Sequence, residues 1–194
     1  MITMPSWVAY RAQVRSGLAN YVERPIARLL AKIGLSPNKV TVIGLLLSGI
    51  IAYLLSVGQF VGGGVLLIIA SAMDMADGAL ARLQAKSTTA GALLDSTADR
   101  ISEAVVFLGL LVFFINPLSI PEVVLIYLAL SSSFMVSYLR ARGEGLGVDC
   151  KVGVMTRPER VAALGIGLIL AHWWFTAILI VLGAIAGLAI FTTW

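Results

Sequence analysis

Long apolar stretches, separated by short polar segments, dominate the pattern of hydrophobic and polar positions along the chain. They predict membrane-spanning helices over residues 40–57, 60–81, 88–115, 120–139, 158–172 and 175–191. Ahead of them, apolar residues recur at three- and four-residue spacings with arginines between, which predicts an amphipathic helix on the membrane surface, broken at Pro25. The pattern therefore predicts an all-α integral membrane protein, with a surface helix in residues 1–35 and six transmembrane helices in residues 36–194.

The composition supports a membrane protein and excludes a separate soluble domain. Hydrophobic residues make up 59% and charged residues only 12% of the 194 residues, whereas a soluble domain carries about 25% charged residues. The net charge of +4 would suit nucleic acid in a polar chain, but in a chain this apolar it indicates membrane orientation. We therefore expect membrane lipids as the surroundings and no nucleic-acid partner.

Basic residues predict how the six helices are oriented. Of the 14 Lys and Arg residues, six precede the first predicted span, two lie between the second and third, and five lie around the connection between the fourth and fifth. Apart from Arg160 at the start of the fifth span, only Arg100 falls inside a span, and the other connections contain none. Because basic residues accumulate on the cytoplasmic side, the pattern predicts a multi-pass protein of the cell membrane with both termini in the cytoplasm.

Four aspartates lie at the cytoplasmic ends of the second and third predicted spans: Asp74, Asp77, Asp95 and Asp99. Each unpaired carboxylate at membrane depth costs about 2.5–3.5 kcal/mol, so something must compensate their charge. The first two are three residues apart and the last two are four apart, so each pair lies on one helix face and the pairs can converge. Hard divalent cations neutralise such a group through oxygen ligands, which predicts a site for two Mg²⁺ ions, with Mn²⁺ as a possible replacement.

Two other interpretations of the aspartates stay open. They can form salt bridges between helices with Arg82, Lys86 and Arg100, although four aspartates within 26 residues are more than such pairs explain. They can also belong to a cation transporter. Their position near one membrane face, however, differs from the midplane sites that alternating access requires.

The residues around these carboxylates follow a definite spacing. The stretch reads Asp74-x2-Asp77-Gly78-x2-Ala81-Arg82-x8-Gly91-x3-Asp95-x3-Asp99. It closely resembles the signature of the CDP-alcohol phosphotransferase (CDP-alcohol phosphatidyltransferase) family, membrane enzymes that join an alcohol to a lipid through a CDP-activated phosphate, and it departs from that signature at no position. The resemblance implies an enzyme whose residues 36–194 form the catalytic domain, with a cytoplasmic active site and a homodimeric assembly.

The resemblance also implies a role for each aspartate. Asp74, Asp77 and Asp95 would hold one metal ion, and Asp74, Asp95 and Asp99 would hold the second. Asp99 would in addition be the general base. Metal ions in these positions would stabilise the charge that develops on the transferred phosphate and on departing CMP.

The lipid substrate that the resemblance implies is CDP-diacylglycerol. Gly78, Arg82 and Thr88 match family positions that bind the CDP moiety, with the Arg82 fork at the pyrophosphate. The segment Ser36-Pro37-Asn38-Lys39 is similar to the one through which the family contacts the nucleotide. The same four residues are also simply a good helix start, and the two roles are compatible.

Four arginines lie near the connection between the fourth and fifth predicted spans: Arg140, Arg142, Arg157 and Arg160. They can be cytoplasmic anchors, but beside an anionic metal site they predict a pocket for a phosphate-bearing acceptor. The Arg-x-Arg-x-Glu and Arg-Pro-Glu-Arg elements are similar to those of prokaryotic phosphatidylinositol phosphate synthases, a branch of the same family, although Arg140 replaces a common lysine and Gly143 a common alanine. The resemblance implies inositol 1-phosphate as the acceptor, with transfer to glycerol phosphate or from an archaeol-linked CDP lipid as the alternatives.

Overall fold

The structure, a computed structural model, describes residues 17, 19–85, 88–148 and 156–194. Regular structure in these ranges is entirely helical, which confirms the all-α prediction. After a π-helical turn over Ala19–Glu23, the described ranges contain seven α-helices: α1 (Arg24–Lys32), α2 (Pro37–Ser56), α3 (Phe60–Leu83), α4 (Thr89–Ile115), α5 (Ile120–Gly145), α6 (Arg157–Leu170) and α7 (Ala177–Thr193).

Local sequence signals account for the helix boundaries. α2 begins at Pro37 directly after Ser36, whose backbone is extended, because proline suits the first helical turn, where its missing N–H is not needed. α4 begins after Thr88, whose hydroxyl accepts a hydrogen bond from the Gly91 N–H at 3.0 Å. α5 continues past the predicted end at residue 139, because the arginine-containing segment that follows has no proline to stop it.

α1 lies against α3 as an amphipathic helix. Ala27 and Leu30 are buried in a cluster with alanines and a leucine of α3. The predicted break at Pro25 is instead a change of winding, since the π-helical turn ends at Glu23 and the α-helix begins one residue before the proline. Residues 1–16 and 18 of the predicted surface helix lie outside the described residues.

Within the described ranges, three helices are long and apolar enough to cross a membrane, namely α2, α3 and α5. α7 is apolar but shorter, with 17 residues. α6 has 14 residues, which at about 1.5 Å per residue is shorter than the bilayer core of about 30 Å. These helices are compatible with a membrane protein, whereas six spans and cytoplasmic termini remain predictions.

Helices α2 to α7 form a closed ring. Around it the order is α2, α3, α6, α7, α5 and α4, and α4 packs back on α2. Two contacts bring backbones close together: a Cβ on Gly109 of α4 would stand 2.4 Å from Ala52 O of α2, and one on Gly64 of α3 would stand 2.7 Å from Gly165 O of α6. Glycine permits this close packing, so α2, α3, α4 and α6 enclose a narrow interior.

The two ends of the ring differ in character. At one end the carboxyl end of α3 meets the amino ends of α2, α4 and α6, and the predicted aspartates lie here. At the other end Phe60 and Phe113 pack edge to face with centroids 4.8 Å apart, and Trp173 and Trp174 are exposed, as at a membrane interface. Apart from Glu122 at the start of α5, the ring therefore gathers its described Asp, Glu, Lys and Arg side chains at one end.

Candidate active site

Three of the four predicted aspartates form one carboxylate cluster. Asp74 on α3 and Asp95 and Asp99 on α4 each offer one carboxylate oxygen, and these oxygens lie within 4.8 Å of one another. The two α4 residues are one turn apart, and α3 and α4 both pack on α2, which brings their polar ends together. All three side chains are partly buried, so their negative charges are only partly solvated.

Asp77 lies next to this cluster, with its carboxyl group within hydrogen-bond reach of that of Asp95. The residue is 7% exposed, and its Oδ2 accepts a hydrogen bond from Thr41 Oγ1 of α2 at 3.1 Å. The fourth carboxylate therefore adjoins the other three at Asp95 and is also bonded to α2 through Thr41. Sequence reasoning missed Thr41, although a threonine one turn into an apolar span, near the polar end, is a usable signal.

Arg157, the first residue of α6, forms an ion pair with the carboxylate cluster. Its Nη1 donates a hydrogen bond to Asp74 Oδ2 at 2.5 Å. The same nitrogen lies 2.7 Å from Asp99 Oδ1, so Arg157 is paired with carboxylates of both α3 and α4. Arg157 was predicted to face an acceptor phosphate, and the structure places it at the mouth of the aspartate site, because α6 packs on α3.

The basic residues considered as salt-bridge partners lie mostly elsewhere. Arg100 Nη1 is 3.6 Å from Asp99 Oδ2 and donates a hydrogen bond to Ser96 O at 2.8 Å. Arg82 Nη2 lies 3.8 Å from Glu23 Oε2, and Lys86 is outside the described residues. Salt bridges therefore account for Asp74 and Asp99 but leave Asp95 without an ion pair in the part of the chain that is described.

The carboxylate cluster can hold a divalent cation. Its donors are all carboxylate oxygens, which are the ligands that Mg²⁺ and Mn²⁺ favour, and they are close enough to share an ion. Arg157 adds a single positive charge, and Arg100 a more distant one, to three carboxylates, so negative charge remains in excess where solvent is scarce. A divalent cation fits both the donor set and this charge.

An internal cavity leads from the carboxylate cluster into the bundle. Asp74 and Arg157 line it at the polar end, and apolar side chains such as Leu67, Phe107 and Leu164 line it further in. Arg160 and Glu103 face the same cavity and form a second ion pair, with Nε–Oε1 and Nη2–Oε2 distances of 3.3 and 3.4 Å. The bundle thus carries a buried charge pair one helical turn beyond the aspartates.

Sequence reasoning predicted Arg160 but missed Glu103. Glu103 lies one turn after Asp99 on α4, and Arg160 lies one turn after Arg157 on α6, so the second pair repeats the first at greater depth. The signal was present in the sequence, because a carboxylate inside an apolar span is costly wherever it occurs. It was missed because Glu103 lies beyond Asp99, the last position of the family signature.

The four predicted acceptor arginines separate into two pairs. Arg157 and Arg160 line the cavity. Arg140 and Arg142 stand near the end of α5, half-buried and exposed respectively, and in the described ranges neither contacts the carboxylate cluster. The structure therefore joins only two of the four to the aspartate site, while residues 149–155 of the α5–α6 connection lie outside the description.

The predicted nucleotide-binding residues gather where α2, α3 and α4 begin or end. One open cleft is lined by Ser36, Pro37, Asn38, Ala85 and Thr88, and Lys39 is exposed next to it in the chain. A hydrogen bond joins the two connections that form the cleft: Gln84 Nε2 of the α3–α4 connection donates to Leu35 O, which precedes α2, at 2.9 Å. Sequence reasoning did not predict this contact, which depends on the packing of two distant connections.

Gly78 and Arg82 lie on α3 between Asp77 and that connection. A Cβ on Gly78 would meet only Arg82 Nη1, at 3.7 Å, so the protein itself leaves room at this position. The Arg82 side chain is 69% exposed. Both residues therefore border open space next to the buried Asp77, where a ligand can approach the helix.

Comparison with known protein families and relatives identifies the group to which the chain is similar. The family model described as CDP-alcohol phosphatidyltransferase matches residues 34–194. A phosphatidylinositol phosphate synthase from Corynebacterium glutamicum is 33% identical over 155 residues, which cover 77% of this chain and 71% of that protein. An archaetidylinositol phosphate synthase from Methanothermobacter thermautotrophicus is 34% identical over 168 residues, 84% of each chain.

Solved structures that resemble this chain belong to the same group of synthases. The phosphatidylinositol phosphate synthase of Mycobacterium tuberculosis with CDP-DAG bound matches with a TM-score of 0.79 and 33% identity over 89% of each chain. The same synthase in complex with manganese and citrate matches with a TM-score of 0.80 and 32% identity, over 89% of this chain and 85% of that one. The family model spans the ring of helices and the signature between Asp74 and Asp99, and with the solved structures it confirms that the chain is a transferase that belongs to the CDP-alcohol phosphatidyltransferase family.

Proposed function

We propose that this protein transfers the phosphatidyl group of CDP-diacylglycerol to the hydroxyl of inositol 1-phosphate, forming phosphatidylinositol phosphate and releasing CMP. The observation that carries the proposal is the carboxylate cluster with Arg157 against it, at the end of the bundle that also holds the Ser36–Asn38–Thr88 cleft. A cation site, an anion-binding arginine and a cleft for a nucleotide then adjoin one another. The names of the relatives from Corynebacterium and Mycobacterium support the same acceptor.

In this proposal, different side chains accept the proton, bind the acceptor phosphate and bind the CDP moiety. Asp99 accepts the proton of the acceptor hydroxyl while that oxygen attacks the lipid-linked phosphorus and the bond to CMP breaks. Arg157 and Arg160 bind the acceptor phosphate from the cavity side. The CDP moiety is bound by Ser36, Pro37, Asn38, Lys39, Gly78, Arg82 and Thr88.

The metal part of the proposal is specific. Asp74, Asp77 and Asp95 hold one Mg²⁺ ion, and Asp74, Asp95 and Asp99 hold a second, with Mn²⁺ able to replace either. When bound, the ions supply charge stabilisation for the pyrophosphate and the departing CMP. The oxygen-only donor set and the excess negative charge of the cluster support this assignment. Asp77 supports the same assignment, because its carboxyl group lies beside that of Asp95.

In the proposed topology, α2 to α7 span the cell membrane and the carboxylate cluster faces the cytoplasm. The exposed basic side chains of α1 and the exposed tryptophans at the opposite end support this orientation. Residues 1–35 then form the surface segment and residues 36–194 the catalytic domain. The active form is a homodimer, for which α7 offers an open face, because a Cβ on Gly183 or Gly187 would meet no described atom within 4 Å.

CMP release tests the proposed function. The purified protein is incubated with Mg²⁺, CDP-diacylglycerol and either inositol 1-phosphate or glycerol phosphate, and with CDP-archaeol in a parallel series. Release that depends on inositol 1-phosphate supports the proposal, and release only with glycerol phosphate would reassign the acceptor. Preference for CDP-archaeol would favour the second candidate, archaetidylinositol phosphate synthesis, which the relative from Methanothermobacter suggests. Cation flux without CMP release would overturn the enzymatic proposal.

Removal of divalent cations is expected to abolish CMP release, because the carboxylate cluster would lose the charge that neutralises it. The protein is treated with EDTA, dialysed, and assayed before and after addition of Mg²⁺ or Mn²⁺. Calorimetric titration of Mn²⁺ without substrates provides a second measurement, with about two ions expected per chain. Full activity in the EDTA-treated protein would contradict the metal assignment.

Gly78→Ala is expected to raise the KM for CDP-diacylglycerol about tenfold while the protein folds normally. The protein leaves room for this Cβ, whose nearest neighbour would be Arg82 Nη1 at 3.7 Å, so a penalty must come from the bound lipid nucleotide. Crowding by one methyl group costs about 1–3 kcal/mol, and about 1.4 kcal/mol corresponds to tenfold.

The matched control is Gly49→Ala on the exposed face of α2, where a Cβ would meet nothing within 4 Å. It makes the same chemical change in a helix without approaching the proposed nucleotide site. An unchanged KM in Gly78→Ala would remove Gly78 from that site.

A further inference from the structure

The Arg160–Glu103 ion pair is the most deeply buried charge pair in the described part of the chain. Arg160 is 3% exposed and Glu103 is 7% exposed, and apolar side chains line most of the cavity that they face. Two buried charges lose several kcal/mol of solvation each, and well-packed apolar residues of the same volume are often at least as stable. An ion pair in such a place therefore indicates a function beyond stability.

The geometry of the pair fixes the orientation of the guanidinium group. Nε and Nη2, which form one edge of Arg160, face Oε1 and Oε2 of Glu103 at 3.3 and 3.4 Å. An edge-on contact of two nitrogens with two oxygens fixes both the position and the plane of the group, which a single contact does not. Glu103 thus determines how Arg160 is presented to the cavity.

The pair also lies at the right depth to act on the acceptor. Arg160 is one turn beyond Arg157 on α6, and Glu103 is one turn beyond Asp99 on α4, so both pairs bridge the same two helices. Glu103 at this depth draws Arg160 toward its own level and away from the carboxylate cluster. Without that attraction, the net negative cluster one turn away would draw the buried guanidinium toward itself.

We infer that Glu103 is a positioning residue that holds Arg160 on the cavity wall, so that Arg160 and Arg157 together receive the phosphate of the acceptor. This inference rests on the proposed function, in which those arginines bind the acceptor phosphate. Glu103 does not touch the reacting atoms. It keeps one acceptor-binding arginine from collapsing onto the metal-binding carboxylates.

Glu103→Gln is the first test, because it removes the charge and preserves the shape of the side chain. The KM for inositol 1-phosphate is expected to rise about 10- to 100-fold, as when a supporting partner of a functional side chain is lost. The KM for CDP-diacylglycerol is expected to stay within about twofold, because the nucleotide cleft is built from other residues. An equal rise of both values would indicate a structural role and overturn the inference.

Arg160→Gln and the double variant complete a mutant cycle. If Glu103 acts through Arg160, then adding Glu103→Gln to Arg160→Gln produces no further rise in the KM for inositol 1-phosphate. Additive effects would mean that Glu103 acts independently of Arg160, which overturns the inference. A normal KM for inositol 1-phosphate in the double variant would show that Glu103 and Arg160 only neutralise each other's charge. That result would also overturn the inference.

Glu103→Asp keeps the inference testable if the glutamine variant does not fold. It retains the charge but withdraws the carboxylate by one methylene, and an intermediate rise in the acceptor KM is expected, whereas an unchanged KM would contradict the inference. Calorimetric titration of inositol 1-phosphate into each variant measures acceptor binding without depending on turnover.

The failure of the proposed function and the failure of this inference are distinguishable. If the wild-type protein releases no CMP with inositol 1-phosphate, the proposed function fails. If the wild type is active and the Glu103→Gln variant has a normal acceptor KM, only the inference fails.

Discussion

Asp95→Asn is expected to reduce turnover by about 10³-fold while the protein still folds and inserts. Asp95 is one of the three carboxylates whose oxygens lie within 4.8 Å of one another, and it has no ion pair among the described residues. An amide at this position supplies a weaker, neutral ligand where both proposed ions need a charged one. Loss of about 4 kcal/mol of charge stabilisation corresponds to about 10³-fold in rate. CMP release and Mn²⁺ binding measure the two consequences.

Glu122→Gln is the matched control for this variant, since it makes the same change from carboxylate to amide in the first turn of α5, at the opposite end of the bundle. It is expected to leave both CMP release and Mn²⁺ binding unchanged. Normal turnover in Asp95→Asn would refute the metal assignment of the cluster. Normal Mn²⁺ binding with lost turnover would instead restrict Asp95 to a role in the chemical step.

Arg157→Ala is expected to raise the KM for inositol 1-phosphate about 10- to 100-fold, with a much smaller effect on the KM for CDP-diacylglycerol. Hydrogen bonds to charged groups contribute about 1.5–3 kcal/mol, which sets this range. Without substrates Arg157 pairs with Asp74 and Asp99, so the variant is also expected to bind Mn²⁺ more tightly, because a competing positive charge is removed. Steady-state kinetics and Mn²⁺ titration measure the two effects.

Arg28→Ala provides the control for Arg157→Ala, because it removes an arginine from the exposed face of α1 without touching the cavity. Both KM values are expected to remain normal. If Arg157→Ala raises the KM values of both substrates equally, Arg157 does not bind the acceptor specifically but affects the binding of both substrates. Weaker Mn²⁺ binding would mean that Arg157 supports the cluster and does not compete for it.

The helices were predictable because their cause is local. Apolar runs bounded by polar or glycine-containing turns predicted every helix of the ring, and the Ser36-Pro37 start of α2 was read from the same few residues. The errors were also local in origin: α5 extends past residue 139 to Gly145 because the arginine-containing segment has no proline. The short α6 was predicted close to its actual bounds, but a hydrophobic pattern does not measure whether 14 residues cross a bilayer.

The candidate site was predictable in its residue types but only partly in its contacts. Three of the four motif aspartates offer oxygens within 4.8 Å of one another, and Asp77, beside Asp95, also accepts a hydrogen bond from Thr41, a residue that precedes it by 36 positions. The partner of Asp74 and Asp99 is Arg157, from a helix that the motif does not include. Periodicity shows which face of a helix a residue occupies, but not which other helix packs against that face.

By itself, the amino-acid sequence determined that this is a helical membrane protein of the CDP-alcohol phosphatidyltransferase family, because hydrophobic length and motif spacing are properties of contiguous residues. Tertiary structure decided that α6 packs on α3 and α4 on α2, and so which arginines meet which carboxylates. Glu103 carries the same charge as the motif aspartates. Only the packing of the ring placed Glu103 in contact with Arg160 inside a mostly apolar cavity. Because solvation is low there, interactions between charges are strong and depend on how the guanidinium group is oriented.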